Sequence, residues 1–167
     1  KNKLPKNSIK IEIMIETPSA ILDENGANPL RKFIEIGKGR INSAHFGAYD
    51  YTASFGISAV HQHLNHESCN FARQMMLTAL APLEIRLSDS VTIEMPVPIH
   101  KGENLSEKQI RENKRAVHRA WRSHFNNVTR SQINGFYQSW DLHPAQIVAR
   151  YAAVFAFFLE SKDAQTK

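Results

Sequence analysis

Four isoleucines at alternate positions, Ile9, Ile11, Ile13 and Ile15 in "SIKIEIMIE", constrain this chain more than any other feature. They share one face of an extended segment, and Lys10, Glu12, Met14 and Glu16 share the other. A period of two is that of a β-strand. Here one face is wholly apolar and the other carries charge. Thr17 and Pro18 then stop the strand, Thr17 as an N-cap and Pro18 at the first helical position of a short helix through "SAIL".

The same alternation of periods continues. "LRKFIEIGKG" reads as a helix closed by Gly37 or Gly39, and "RINSAHFGAYD" opens as a strand. "SCNFARQMMLTALA" is an amphipathic helix with Ser68 as its cap, followed by the strand "LEIRLS". Ser106 and Gln109 have capping-box spacing and open a long helix with Ile110, Val117, Trp121 and Phe125 on its inner face. "NGFYQSWDLHP" supplies a fourth strand and Pro144 starts the last helix. Strands near 9–16, 40–47, 83–88 and 134–142, each followed by helix, imply an α/β protein with a parallel sheet. The 167 residues are expected to form a single domain, 1–167.

The two-faced first strand chooses between parallel architectures. In an open doubly wound sheet both faces are covered and a near-continuous apolar run is usual. In a (β/α)8 TIM barrel the outward face packs on helices, while inward residues near the C-terminal strand ends can be polar because the active site opens there. The pattern favours the barrel, yet a whole barrel takes about 250 residues. Four units make half of one.

Composition excludes several functions. The longest apolar run, "YAAVFAFFL", has nine residues against the ~20 of a membrane helix, so no membrane partner is expected and the run reads as a buried helix face. Its Tyr151, Phe155 and Phe158 are expected in the core. A single cysteine, Cys69, rules out an internal disulfide and fits a cytoplasmic location. The net charge is +5, and residues 101–130 carry it with eight Lys/Arg against three Glu. Such a segment is a solvated helix face or holds a phosphorylated ligand. No RNA- or DNA-binding motif accompanies it, so no nucleic acid is expected.

"IMIETPSAIL", "GRINSAHFGAYDYTASFGI" and "WDLHPAQI", in this order, resemble the C-terminal half of the HpcH/HpaI aldolase and citrate lyase β-subunit superfamily, which includes malyl-CoA lyases. The resemblance runs from Ile9 to about Leu159. It implies a barrel of the phosphoenolpyruvate/pyruvate type, of which this chain supplies about the last four βα units. It also implies a Mg²⁺-dependent carbon–carbon lyase or aldolase (Mn²⁺ being the alternative metal). The substrate would be a 2-oxo acid or an acyl-CoA thioester, cleaved or built through a metal-stabilised enolate.

Residue by residue, the resemblance makes Glu16 and Asp50 the two protein ligands of the metal. The backbone amides of Gly47, Ala48 and Tyr49 become the cradle for the substrate carboxylate. Tyr49 departs from the Glu or Ala usual at its position. The chemistry agrees: Mg²⁺ takes hard oxygen donors and keeps coordination sites for water and substrate. A polarised carbonyl then stabilises charge developing beside it. The resemblance names no general base.

Plainer readings stand beside each of these. Glu16 is otherwise a surface carboxylate and Asp50 a helix N-cap. His61, His63, His66 and Cys69 in "HQHLNHESC" invite a zinc site, but the spacing matches no standard finger and loop histidines are the plainer reading. Asp89 stands past the third strand with no role assigned to it. Asp141 and His143 sit at the barrel mouth or start a helix beside Pro144. The family's substrate-clamping arginine comes from an earlier strand, and neither Arg40 nor Arg86 matches it. The chain starts at Lys1 and is expected to be a fragment or split product. It would associate with an N-terminal half-barrel or form a homo-oligomer to cover its sheet edges. A different class of function is a non-catalytic half-barrel, structural or regulatory, keeping the carboxylates by descent.

Overall fold

The structure, a computed structural model, describes residues 4–5 and 7–165. Four parallel strands, β1 (Ile11–Ile15), β2 (Ile41–Phe46), β3 (Arg86–Asp89) and the two-residue β4 (Gln138–Ser139), lie side by side in chain order. Between β1 and β2 come α1 (Pro18–Ile21) and α2 (Leu30–Ile36). Between β2 and β3 come α3 (Ala48–Ser54) and α4 (Glu67–Leu80). The long α5 (Glu107–Ile133) precedes β4, and α6 (Ile147–Gln165) ends the described chain.

These elements make two compact units, one of residues 1–90 and 135–139 and the other of 91–134 and 140–167. The first unit contains the sheet. On β1 the alternation has the expected outcome near the C-terminal end, where Ile15 is buried and Ile13 packs against the same core. Ile9 and Ile11 remain exposed at the other end. Ala44, Phe46 and Leu87 continue the core face across β2 and β3, and Cys69, Ala72, Met76 and Leu80 of α4 close over it. Burying side chains of this size stabilises by about 1.5–3 kcal/mol each.

The opposite sheet face is polar and runs in rungs set by the register. Glu12 pairs with Ser43, and Met14 with His45, across β1 and β2; His45 pairs with Ser88 across β2 and β3. Ser43 donates a hydrogen bond to Glu12.

Element limits moved where backbone geometry or capping intervened. Pro18 and Gly37 sit at the expected helix ends. The cap of α4 is His66, not Ser68: its Nδ1 accepts the Ser68 N–H at 3.2 Å. Strand three starts at Arg86 because Ala81–Leu83 form a 3₁₀ turn and Glu84 takes a left-handed conformation, φ 56°. Strand four shrinks to two residues behind Gly135, at φ 83°.

In the second unit, Ser106 and Gln109 form the expected capping box of α5. The buried stripe of α5 is Ala116, Ala120, His124 and Val128, one position from the expected Val117, Trp121 and Phe125; Ile110 is exposed. α5 packs on α6 through small residues, Ala149 and Ala153 being the buried ones on α6. That choice overturns the expected core role of the aromatic stripe: Tyr151, Phe155 and Phe158 are exposed. Alanine seams let two helices approach closely, and here they leave the large side chains outside.

Candidate functional site

The two candidate metal ligands follow neighbouring strands, Glu16 directly after β1 and Asp50 in the first turn of α3 after β2. Gly47 donates its N–H to the Ile15 carbonyl at 2.9 Å, which holds the turn after β2 beside Glu16, the residue after β1. A Cβ at Gly47 would lie 2.7 Å from Glu16 Cβ and 3.0 Å from Glu16 Oε2. Only glycine lets the Glu16 side chain lie across this turn. Replacing Gly47 with alanine is expected to displace Glu16 at a cost of about 1–3 kcal/mol, read as a lower unfolding midpoint.

Asp50 stands in the first turn of α3 and is exposed. The N-cap of this helix is Gly47, with no side-chain cap bond, so the reading of Asp50 as a cap is overturned. α3 is fixed from below by Tyr51, buried and packed edge-on against Phe46 and Phe55 with ring centroids at 5.4 and 5.0 Å. Neither the Glu16 nor the Asp50 carboxylate has a hydrogen-bond or ion-pair partner among the described residues. No group of three or more His, Cys, Asp or Glu is gathered among the described residues either.

The amides of the turn are less open than their sequence suggests. The Gly47 N–H is committed to Ile15, and the Ala48 N–H is donated to Ser90 Oγ at 3.1 Å. Gly47 therefore contributes by lacking a side chain. Ser90, which follows β3, occupies the acceptor position that the cradle reading gives to a substrate carboxylate oxygen.

Beneath this turn lies His45, 2% exposed, whose Nδ1 is 2.8 Å from Ser88 Oγ. Burial lowers its pKa, against the upward pull of Glu12 and Asp89, so the ring is neutral at neutral pH. Asp89 ends β3 rather than following it, and its carboxylate is fully engaged there. Its Oδ1 accepts from Arg73 Nε at 2.9 Å and from the Ser90 N–H at 2.8 Å. Arg73 also donates to the Leu64 carbonyl at 2.6 Å and stacks over Phe46, 5.3 Å from the ring centroid. This buried pair anchors the residue that meets Ala48. Sequence reasoning missed Arg73, His45, Ser88 and Ser90. Arg73 carried a signal, since it falls on the apolar stripe of α4 with Cys69, Ala72 and Met76.

The remaining candidates have structural partners. His66 caps α4, and its ring stands 6.1 Å from that of His63. His143 accepts the Ala145 N–H at 3.1 Å and caps the 3₁₀ turn Pro144–Gln146, the helix-start role. Asp141 accepts two hydrogen bonds from Arg150, both 2.7 Å, and meets His124 Nε2 at 2.8 Å.

Comparison with solved structures gives the fold a context. RipC from Yersinia pestis is similar at TM-score 0.58 and 18% identity, over 87% of this chain and 51% of that one. The citrate lyase β subunit from M. tuberculosis, solved with oxaloacetate and magnesium, is similar at TM-score 0.58 and 14% identity, over 87% and 52%. Haloferax volcanii malate synthase, a lead(II) complex, is similar at 0.57 and 18%, over 90% and 35%. The chain thus spans about half the length of the first two. A comparison with curated proteins gives no match. No helix among the described residues is long and apolar enough to cross a membrane. The fold is the α/β fold of the citrate lyase β-type proteins that the sequence motifs resemble. Over residues 1–167 the sequence matches the family described as a domain of unknown function, DUF6986, and the chain belongs to that family.

Proposed function

We propose that this chain is the C-terminal half of a TIM barrel of the phosphoenolpyruvate/pyruvate type and carries the metal site of a carbon–carbon lyase or aldolase. The observation that supports it most is the pair of carboxylates without partners among the described residues, Glu16 directly after β1 and laid across a glycine that tolerates no side chain, and Asp50 in the first helical turn after the neighbouring parallel strand β2. Two hard oxygen donors suit Mg²⁺ or Mn²⁺. Bound there, the ion would supply Lewis acidity that polarises a substrate carbonyl and stabilises developing negative charge.

The rest is done by the chain itself. Gly47 clears the space in which Glu16 is held, and Tyr51 fixes the turn that presents Asp50. A substrate carboxylate would take the Ala48 N–H in place of Ser90 Oγ, a swap that leaves no amide unpaired, with the Tyr49 backbone alongside. The substrate class is a 2-oxo acid or an acyl-CoA thioester. The two citrate-lyase and malate-synthase relatives support this class, the former holding oxaloacetate and magnesium. Closure of the sheet edges by an N-terminal half-barrel or a further copy is part of the same reading.

Calorimetry with Mg²⁺ in the presence of pyruvate or oxaloacetate tests it. Uptake is expected in the native chain and is lost in Glu16→Ala and Asp50→Ala. No uptake, or uptake indifferent to both substitutions, sinks the proposal. The rival reading, a non-catalytic half-barrel, draws on the internal commitment of the Gly47 and Ala48 amides. Exchange of the pyruvate methyl protons with D₂O separates the two, since only a lyase site accelerates it.

A further inference from the structure

Met14 is out of keeping with its surroundings. It shares a face of the first strand with Lys10, Glu12 and Glu16, the one apolar residue of the four, and it is 40% exposed there. A Cβ at Gly47 would stand 3.4 Å from Met14 Sδ and 3.0 Å from Glu16 Oε2, so thioether and carboxylate meet over one glycine. By register the layer of Met14 continues with His45 and Ser88, which are hydrogen-bonded to each other at 2.8 Å. With the His45 ring neutral, that layer carries no charge. The layer below it holds Glu12 and Ser43. Arg86, the cation of this face on β3, pairs with Ser43 in that lower layer rather than with His45 beside Met14.

We infer that Met14 determines the substrate specificity of this site: its thioether lies against the carbon chain of the bound 2-oxo acid and selects a short apolar tail over a second carboxylate. The inference rests on the metal-site reading above and narrows its substrate to a monocarboxylic 2-oxo acid. A methionine side chain is unbranched and polarisable and adapts its shape to a methyl or ethyl group. A carboxylate placed against it loses water and gains no hydrogen bond, which is costly for a charged group. Glu12, in the layer below, repels that carboxylate as well. Oxaloacetate, which the M. tuberculosis relative holds, is therefore the poorer ligand for this chain.

2-Oxobutyrate and oxaloacetate test this, since they have the same length and differ in a terminal methyl against a terminal carboxylate. Calorimetry of the full chain with Mg²⁺ is expected to give 2-oxobutyrate the tighter binding by about tenfold. Met14→Gln, close in shape and able to donate to a carboxylate, is expected to abolish that preference, and Met14→Leu to keep it. The second readout uses the native chain labelled with ¹³C-methyl methionine, whose four signals belong to Met14, Met75, Met76 and Met95. The Met14 signal, assigned by its loss in Met14→Leu, is expected to shift on adding 2-oxobutyrate. With Mn²⁺ in place of Mg²⁺ it is expected to broaden more than that of the buried Met76. If Met14→Gln does not fold, these signals decide. Mg²⁺ uptake with equal affinity for the two acids, a preference untouched by Met14→Gln, or a Met14 signal indifferent to 2-oxobutyrate overturns this inference and leaves the metal site standing. Absence of Mg²⁺ uptake in the native chain overturns the metal-site reading, and this one with it.

Discussion

Arg73→Met is expected to cost about 3–5 kcal/mol, the usual penalty for stranding one member of a buried ion pair. In a domain of this size that is a fall of roughly 10 °C in Tm. Arg73 and Asp89 are 4% and 2% exposed, so neither can turn to water when the other is lost. The loss is compounded because the guanidinium also serves the Leu64 carbonyl and the Phe46 ring. Asp89→Asn should cost less, since an amide oxygen can still accept from Arg73 and from the Ser90 N–H. The double variant Arg73→Met, Asp89→Leu removes both charges together and should be less destabilised than the sum of the single changes. Urea unfolding of the native protein, Arg73→Met, Asp89→Leu and the double variant measures that coupling. Additive costs would show that the pair is not the source. Because Asp89 also steadies Ser90, the acceptor at Ala48, the proposed metal site predicts that Arg73→Met weakens Mg²⁺ uptake as well as stability.

The placement of Glu16 just after β1 and of Asp50 in the turn after β2 was legible in the sequence because it follows from strand ends and a glycine turn, both local signals. The order and direction of the strands were legible for the same reason, each strand having its own period and stop. What the sequence hid depends on pairing across the fold. Asp89 looked idle because its partner lies sixteen residues earlier on α4, in the interior. The amides of Gly47 and Ala48 looked available because nothing local shows that Ile15 and Ser90 take them. The stripe of α6 was misread for a different reason. Apolar periodicity tells which residues share a face, not which of two faces meets the core, and the alanines of α5 and α6 settled that in favour of Ala149 and Ala153.

The second large effect lies in the other unit and depends on pH. Arg150→Met is expected to cost about 2–3 kcal/mol at pH 8 and markedly less near pH 5.5. Asp141 is pushed up by burial, but the hydrogen bonds and charge of Arg150, helped by His124, outweigh that and hold its pKa below 3.8. His124, 1% exposed, is lowered below 6.5 by burial and by the Arg150 charge, against the pull of Asp141. The groups facing it are Thr92, through Nδ1 at 2.9 Å, and Asp141, with Arg150 behind. Both shifts are downward, so the folded chain binds fewer protons than the unfolded one. The native protein therefore loses stability as pH falls through 6.5, where unfolded His124 protonates, and again below 3.8, where Asp141 does. Without Arg150 the push of that cation on His124 is gone while burial and the pull of Asp141 remain, so His124 takes a proton more readily than in the native chain and an imidazolium can partly replace the guanidinium beside Asp141. Acidification then repairs part of the damage. Unfolding followed by Trp121, whose indole N–H donates to the Ala145 carbonyl at 2.7 Å, reports on this unit. A penalty for Arg150→Met that stays the same from pH 8 to 5.5 would show that His124 does not sense Arg150. Adding His124→Gln should make it pH-independent over that interval, since His124 is the one histidine bonded to Asp141 among the described residues.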